Sequence, residues 1–80
     1  MAKHKTMCEN DKQLYSLFKT AIESERKAQS LFKQAIQYCA KPIMKEILQG
    51  LYEEEVKHEK ALIDLYNEIR KEYDIEGEPY

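Results

Sequence analysis

The stretch Leu51-Tyr52-Glu53-Glu54-Glu55-Val56-Lys57-His58-Glu59-Lys60-Ala61-Leu62 decides how this chain folds. Apolar residues recur on either side of it, at Met44, Leu48 and Leu51 and again at Leu62, Leu65 and Ile69, in steps of four and three. That spacing is the heptad of a helix packed along another helix. The two seam positions between Leu51 and Leu62 hold Glu55 and His58. A carboxylate and an imidazole one turn apart, in a row otherwise apolar, need a compensating partner.

Working outward toward the N-terminus, a second heptad appears: Leu14, Phe18, Ala21, Glu25, Ala28, Phe32, Ala35 and Cys39, without a slip. Leu17, Ile22, Leu31 and Ile36 widen it, which suits a bundle better than a two-stranded coiled coil. Its one charged member is Glu25. Between the two heptads, Tyr38-Cys39-Ala40-Lys41-Pro42 breaks the pattern, because proline is excluded from a helix interior but accepted in a first turn. A short break between long helices gives an antiparallel hairpin. The expected organisation is a leader over 1–9, a hairpin over 10–73 with helices at about 10–39 and 42–73, and a tail over 74–80. Thr6-Met7-Cys8-Glu9 and Asn10-Asp11-Lys12-Gln13 both resemble capping boxes for the first helix. Gly50 lies inside the second, at a cost of about 1 kcal/mol relative to alanine.

Composition agrees with long amphipathic helices. Charged residues make up 35% of the 80 and hydrophobic ones 42%, with two glycines, two prolines and no tryptophan. A net charge of −2, with lysines and glutamates interspersed, gives no basic field for nucleic acid or an anionic membrane. No apolar run nears the ~20 residues of a membrane span, and Met1-Ala2-Lys3-His4-Lys5-Thr6 has no signal-peptide core, so a cytoplasmic protein is expected. Cys8 and Cys39 fall near opposite ends of the first helix, about 45 Å apart at ~1.5 Å per residue, and read as free thiols. His4 and Cys8 read as part of a solvated leader rather than a metal pair.

In a hairpin turning near Ala40, facing seam residues have numbers summing to 79 or 80. Glu25 then faces Glu55, and His58 faces the small Ala21. No seam position carries Lys or Arg, and Arg26 and Lys57 adjoin these groups in sequence while pointing elsewhere. A divalent cation is the partner such a layer calls for, and Glu-x-x-His sets a carboxylate and a nitrogen on one helix face. A second copy related by a two-fold axis covers the remaining apolar stripe and brings the layer to four glutamates and two histidines. Four negative charges balance two divalent ions.

The segment Ala21-Ile22-Glu23-Ser24-Glu25-Arg26-Lys27-Ala28-Gln29-Ser30-Leu31-Phe32 resembles the first metal helix of the ferritin-like superfamily, in its rubrerythrin branch. There a ligand Glu is followed three later by Ala and seven later by an aromatic. Glu54-Glu55-Val56-Lys57-His58 resembles the second metal helix, with its Glu-x-x-His at Glu55 and His58. The resemblance covers roughly residues 11 to 70 and implies an all-α fold in which the hairpin dimerises into a ferritin-like four-helix bundle. Most members carry four helices in one chain, and this chain holds two. In that respect it resembles the encapsulated ferritins, two-helix chains that build their iron site between subunits. Phe32 stands where tyrosine is commoner, and the four-cysteine rubredoxin-like domain of rubrerythrins is absent.

The resemblance implies a homodimer, or a higher oligomer built on it, inside an encapsulating shell protein (a nanocompartment). It also implies a di-iron centre of two irons per dimer ligated by Glu25, Glu55 and His58, with manganese or zinc as other occupants. The implied activity is ferroxidase, with a rubrerythrin-like peroxidase using an external electron donor as the alternative. Glu54 and Glu59 flank the seam as secondary metal candidates, against the plainer reading of a solvated helix face. Glu23 and Glu53 read as surface, and Tyr38, Tyr52 and Tyr66 as bundle-boundary packing. Val56 and Ile63 lie outside the stripe, as scattered surface residues or contacts between dimers. The competing class is a non-catalytic helical dimerisation module, whose seam polar groups only fix register.

Overall fold

Two α-helices account for nearly all of residues 7–73 and 75, which the computed structural model describes. Helix α1 runs Glu9–Tyr38 and α2 runs Pro42–Tyr73, antiparallel, joined by residues 39–41. Cys8, extended at φ −70° and ψ 163°, is the N-cap of α1, and Lys12 N–H donates to its carbonyl at 3.0 Å. No side chain caps this end. Glu9 and Asp11 in the first turn instead place negative charge at the positive end of the helix dipole. Asn10 therefore lies inside the helix, and Thr6 lies outside the described residues.

At the other end, Cys39 N–H donates to Ile36 C=O at 3.2 Å, a tightened last turn, and the Cys39 thiol donates to Lys41 C=O. Pro42 opens α2, where its missing N–H costs nothing, and Lys45 N–H donates to Lys41 C=O at 2.9 Å. Arg70 and Lys71 occupy the last turn of α2, facing the negative end of its dipole. Both cysteines are free.

The helices meet along a seam that includes Ile22 and Ile36 of the widened α1 stripe and, beside them, residues outside both heptads. On α1 it is Tyr15, Ile22, Gln29 and Ile36; on α2 it is Tyr52, Glu59, Tyr66 and Tyr73, each row repeating every seven residues. Ile22 is 0% exposed and Tyr66 4%, and among the described residues no other is buried. Tyr15 and Tyr66 stack with ring centroids 4.7 Å apart, and Tyr15 O–H donates to the Tyr66 oxygen at 2.9 Å. Near the open end, Tyr73 O–H donates to the Asp11 carboxylate. Lys33 lies over the Tyr52 ring, 5.9 Å from its centroid.

Most of the row expected to be the seam is half-buried beside the observed one, from Phe18 to Cys39 on α1 and at Leu48, Glu55, Leu62 and Ile69 on α2, and its other members edge an open face. Leu14 remains 42% exposed, Leu51 41% and Leu65 50%, and Leu17, Leu31, Met44 and Ile47 are exposed beside them. Each helix thus carries an inner stripe used within the hairpin and an outer apolar stripe on one side of it. No helix among the described residues is long and apolar enough to cross a membrane.

Two outcomes are expected. Nothing lies within 4 Å of a Cβ placed on Gly50, so the glycine serves no packing need inside the hairpin. Gly50→Ala should raise the unfolding free energy by about 0.5–1 kcal/mol in chemical denaturation, and a loss would reveal a neighbour approaching that turn. The Asp11 hydrogen bond pushes the Tyr73 phenol up from 10.0 to about 12, with desolvation and the Asp11 charge adding to it. A group whose pKa rises on folding stabilises the fold fully below its unfolded value. This contribution is therefore intact below pH 10 and lost as pH climbs through about 12. NMR titration of the Tyr73 ring should show Asp11→Asn returning it toward 10.0.

Candidate metal centre

Glu25 on α1 and Glu55 and His58 on α2 converge near the midpoint of both helices. His58 Nδ1 lies 3.6 Å from Glu25 Oε2 and 4.0 Å from Glu55 Oε2. One ligand atom from each of the three falls within 4.8 Å of the others. Donors sharing a divalent ion at ~2.1 Å sit about 3–4.3 Å apart, so the cluster is close to a coordination set before any side chain moves.

His58 faces Glu25 directly, rather than Ala21 as the level sums predict. The offset follows from helix geometry. Side chains lean toward the N-terminus of their own helix, so in an antiparallel pair they lean in opposite directions along the common axis. Contacts then join residues further from the turn on α2 than their Cα levels suggest. Glu25 consequently reaches both Glu55 and His58, and all three groups share one layer.

Glu25 Oε2 is buried and accepts no hydrogen bond. Burying an acceptor unsatisfied costs about 1–3 kcal/mol, and more when it is charged. The Glu25 and Glu55 side chains are 21% and 22% exposed, while His58 is 56% exposed and borders the open apolar face. Two groups can supply the missing countercharge: a proton on His58, which makes it an ion-pair partner, or a cation ligated by all three. These residues fit a metal ion by their donor types, spacing and orphaned oxygen.

The cation nearest in sequence is engaged elsewhere. Arg26 Nε donates across the hairpin to Glu59 Oε2 at 2.7 Å, and Gln29 Nε2 donates to Glu59 Oε1 at 2.6 Å. Arg26 thus points elsewhere than the triad, as expected, and bridges the two helices. Hydrogen bonds from Gln29 and then Arg26 hold the Glu59 carboxyl below its ordinary 4.5, against partial desolvation. Both Glu59 oxygens face α1 donors, whereas Glu54 is exposed on the outer side of α2. Glu23 and Glu53 are exposed.

The bond to Glu59 is the feature that heptad counting missed. Its signal was the seven-residue repeat Tyr52–Glu59–Tyr66–Tyr73, in which a glutamate occupies a position otherwise aromatic. In comparison with known proteins, no family model, curated protein or solved structure matches this chain.

With a chelator present, Glu25→Leu should stabilise the protein by about 1 kcal/mol or more, because an apolar side chain replaces an uncompensated carboxylate beside the open apolar face. Denaturant titration checks this, and a destabilised Glu25→Leu would mean that His58 already compensates the charge.

Proposed function

We propose that two copies of this hairpin pack their open faces together into a ferritin-like four-helix bundle. In this reading their combined Glu25, Glu55 and His58 side chains hold two divalent metal ions, iron foremost, with ferroxidase as the activity. The observation that carries it is the buried, hydrogen-bond-free Glu25 oxygen facing Glu55 and His58 on the border of an unpartnered apolar stripe.

Three features support the pairing. With only Ile22 and Tyr66 buried among the described residues, one hairpin has too small an apolar core for a domain of this size. The triad sits near mid-length of both helices, so a two-fold axis through it overlaps the hairpins along their whole length. Each hairpin offers three donors, half of the four carboxylates and two imidazoles that a dimetal carboxylate site uses.

In the paired state Glu25 and Glu55 would neutralise two divalent ions and each His58 would supply a nitrogen ligand. The flanking Leu51, Leu62 and Phe32 exclude bulk water from the layer. With iron as substrate, two Fe(II) would each lose one electron either to O2, which takes up two protons and leaves as hydrogen peroxide, or to hydrogen peroxide, which takes up two protons and leaves as two waters. The open apolar face also favours a non-catalytic dimerisation module, which would form the same dimer without metal.

Solution mass and elemental analysis after anaerobic loading with Fe(II) separate the two readings. A dimer carrying about two irons, lost in Glu25→Ala, Glu55→Ala and His58→Ala, is expected. Fe(III) accumulating over many turnovers then marks ferroxidase, whereas peroxide consumption sustained by an added electron donor marks peroxidase. A dimer with no stoichiometric metal would leave the dimerisation module as the function.

A further inference from the structure

We infer that Arg26, Gln29 and Glu59 form a register clamp whose role is to bring Glu25 level with Glu55 and His58, making them positioning residues rather than further ligands. The inference rests on the metal reading of the triad for its functional consequence, though not for its geometry.

Glu59 occupies the inner seam of the hairpin, in a row otherwise made of Tyr52, Tyr66 and Tyr73. A carboxylate there is tolerated only opposite donors. Gln29 supplies one at 2.6 Å and Arg26 another at 2.7 Å, so both oxygens are satisfied in this register. One heptad either way along α1, the position of Gln29 is held by Ile22 or Ile36, neither of which has a side-chain donor. A slip of α2 by a heptad would replace Gln29 by an isoleucine and Arg26 by Lys19 or Lys33, leaving Glu59 a lysine but no amide donor. A single polar residue in a helix seam is a well-attested way to fix register at some cost in stability.

The clamp adjoins the triad on both helices. Arg26 follows Glu25, Gln29 is one turn beyond it, and Glu59 follows His58. The register that gives Glu59 both Arg26 and Gln29 therefore also places Glu25 beside His58. The same slip that breaks the clamp would set Glu55 and His58 against Phe18 or Phe32, the heptad equivalents of Glu25. The clamp also keeps the Glu59 carboxylate turned into the hairpin, so that the layer retains three donors per chain.

Two measurements test this. In the metal-free protein, with a chelator present, nuclear Overhauser contacts between the His58 ring and the Glu25 methylenes should be present in the wild type, lost in Glu59→Ala and regained in the swap R26E/E59R. The Gln29 amide can accept from the relocated guanidinium in that swap. Contacts that persist in Glu59→Ala would overturn the clamp. Should Glu59→Ala fail to fold, Gln29→Leu removes one donor while filling the seam, and it should weaken the same contacts.

In anaerobic Co(II) titration, Arg26→Ala and Glu59→Ala should each weaken binding about 10–100-fold with unchanged helicity and dimer mass, the swap recovering part of the loss. If Arg26→Ala leaves Co(II) affinity unchanged or tighter while Glu59→Ala abolishes it, Glu59 is a ligand and the clamp is refuted. A wild type that shows the contacts yet binds no Co(II) refutes the metal reading and leaves the clamp supported.

Discussion

An antiparallel helical pair has one interface, and each helix here carries apolar residues enough for two. That mismatch governs the rest of the structure. The inner stripes meet through Ile22, Tyr15 and Tyr66, and the outer stripes, led by Leu14, Leu51 and Leu65, are left open on one side of the hairpin. Burial returns about 25 cal/mol per Å² of apolar surface, while ordering a residue costs roughly 1–2 kcal/mol. With only Ile22 and Tyr66 buried among the described residues, the inner seam returns little of that cost, and the outer apolar stripe stays exposed.

Against this background the polar residues of the two stripes do different work. Glu59 lies on the inner stripe and is fully provided for by Arg26 and Gln29, which depresses its pKa. Glu25 lies where the inner and outer stripes meet, with a buried oxygen that nothing among the described residues satisfies by hydrogen bonding. A protein selected only for a stable hairpin would gain by replacing it. A carboxylate kept unsatisfied beside another carboxylate and an imidazole is strain held at a site, which is where functional groups concentrate.

How much of this was legible in the sequence depends on contrast between a residue and its row. Glu25, Glu55 and His58 interrupt strictly apolar heptads, so their convergence could be read from spacing alone, and the helical hairpin followed from the same rows and from Pro42. The inner seam was harder to see because its own members are mixed: Tyr15, Ile22 and Gln29 on one helix, Tyr52 and Glu59 on the other. Periodicity of hydrophobicity is weak where a row holds amphipathic tyrosines and a satisfied carboxylate. The meeting of His58 with Glu25 required one more ingredient, the opposed lean of side chains in antiparallel helices, which shifts contacts away from simple level pairing. Cys8 as N-cap had no sequence signal, since its thiol caps nothing.

The arrangement joins these elements in a definite order of dependence. Inner-seam packing brings the helices together, and the short link over residues 39–41 limits how far they can slip. The polar layer of Glu59 with Arg26 and Gln29 adds a preference for the register in which Glu25, Glu55 and His58 coincide. Their coincidence leaves a negative layer at the border of an open apolar face, where water is scarce on one side and a second hairpin would exclude it on the other. Electrostatic attraction for a cation strengthens as that water leaves. In the proposed dimer, closure of the apolar face and occupation of the carboxylate layer would therefore be coupled, each lowering the cost of the other.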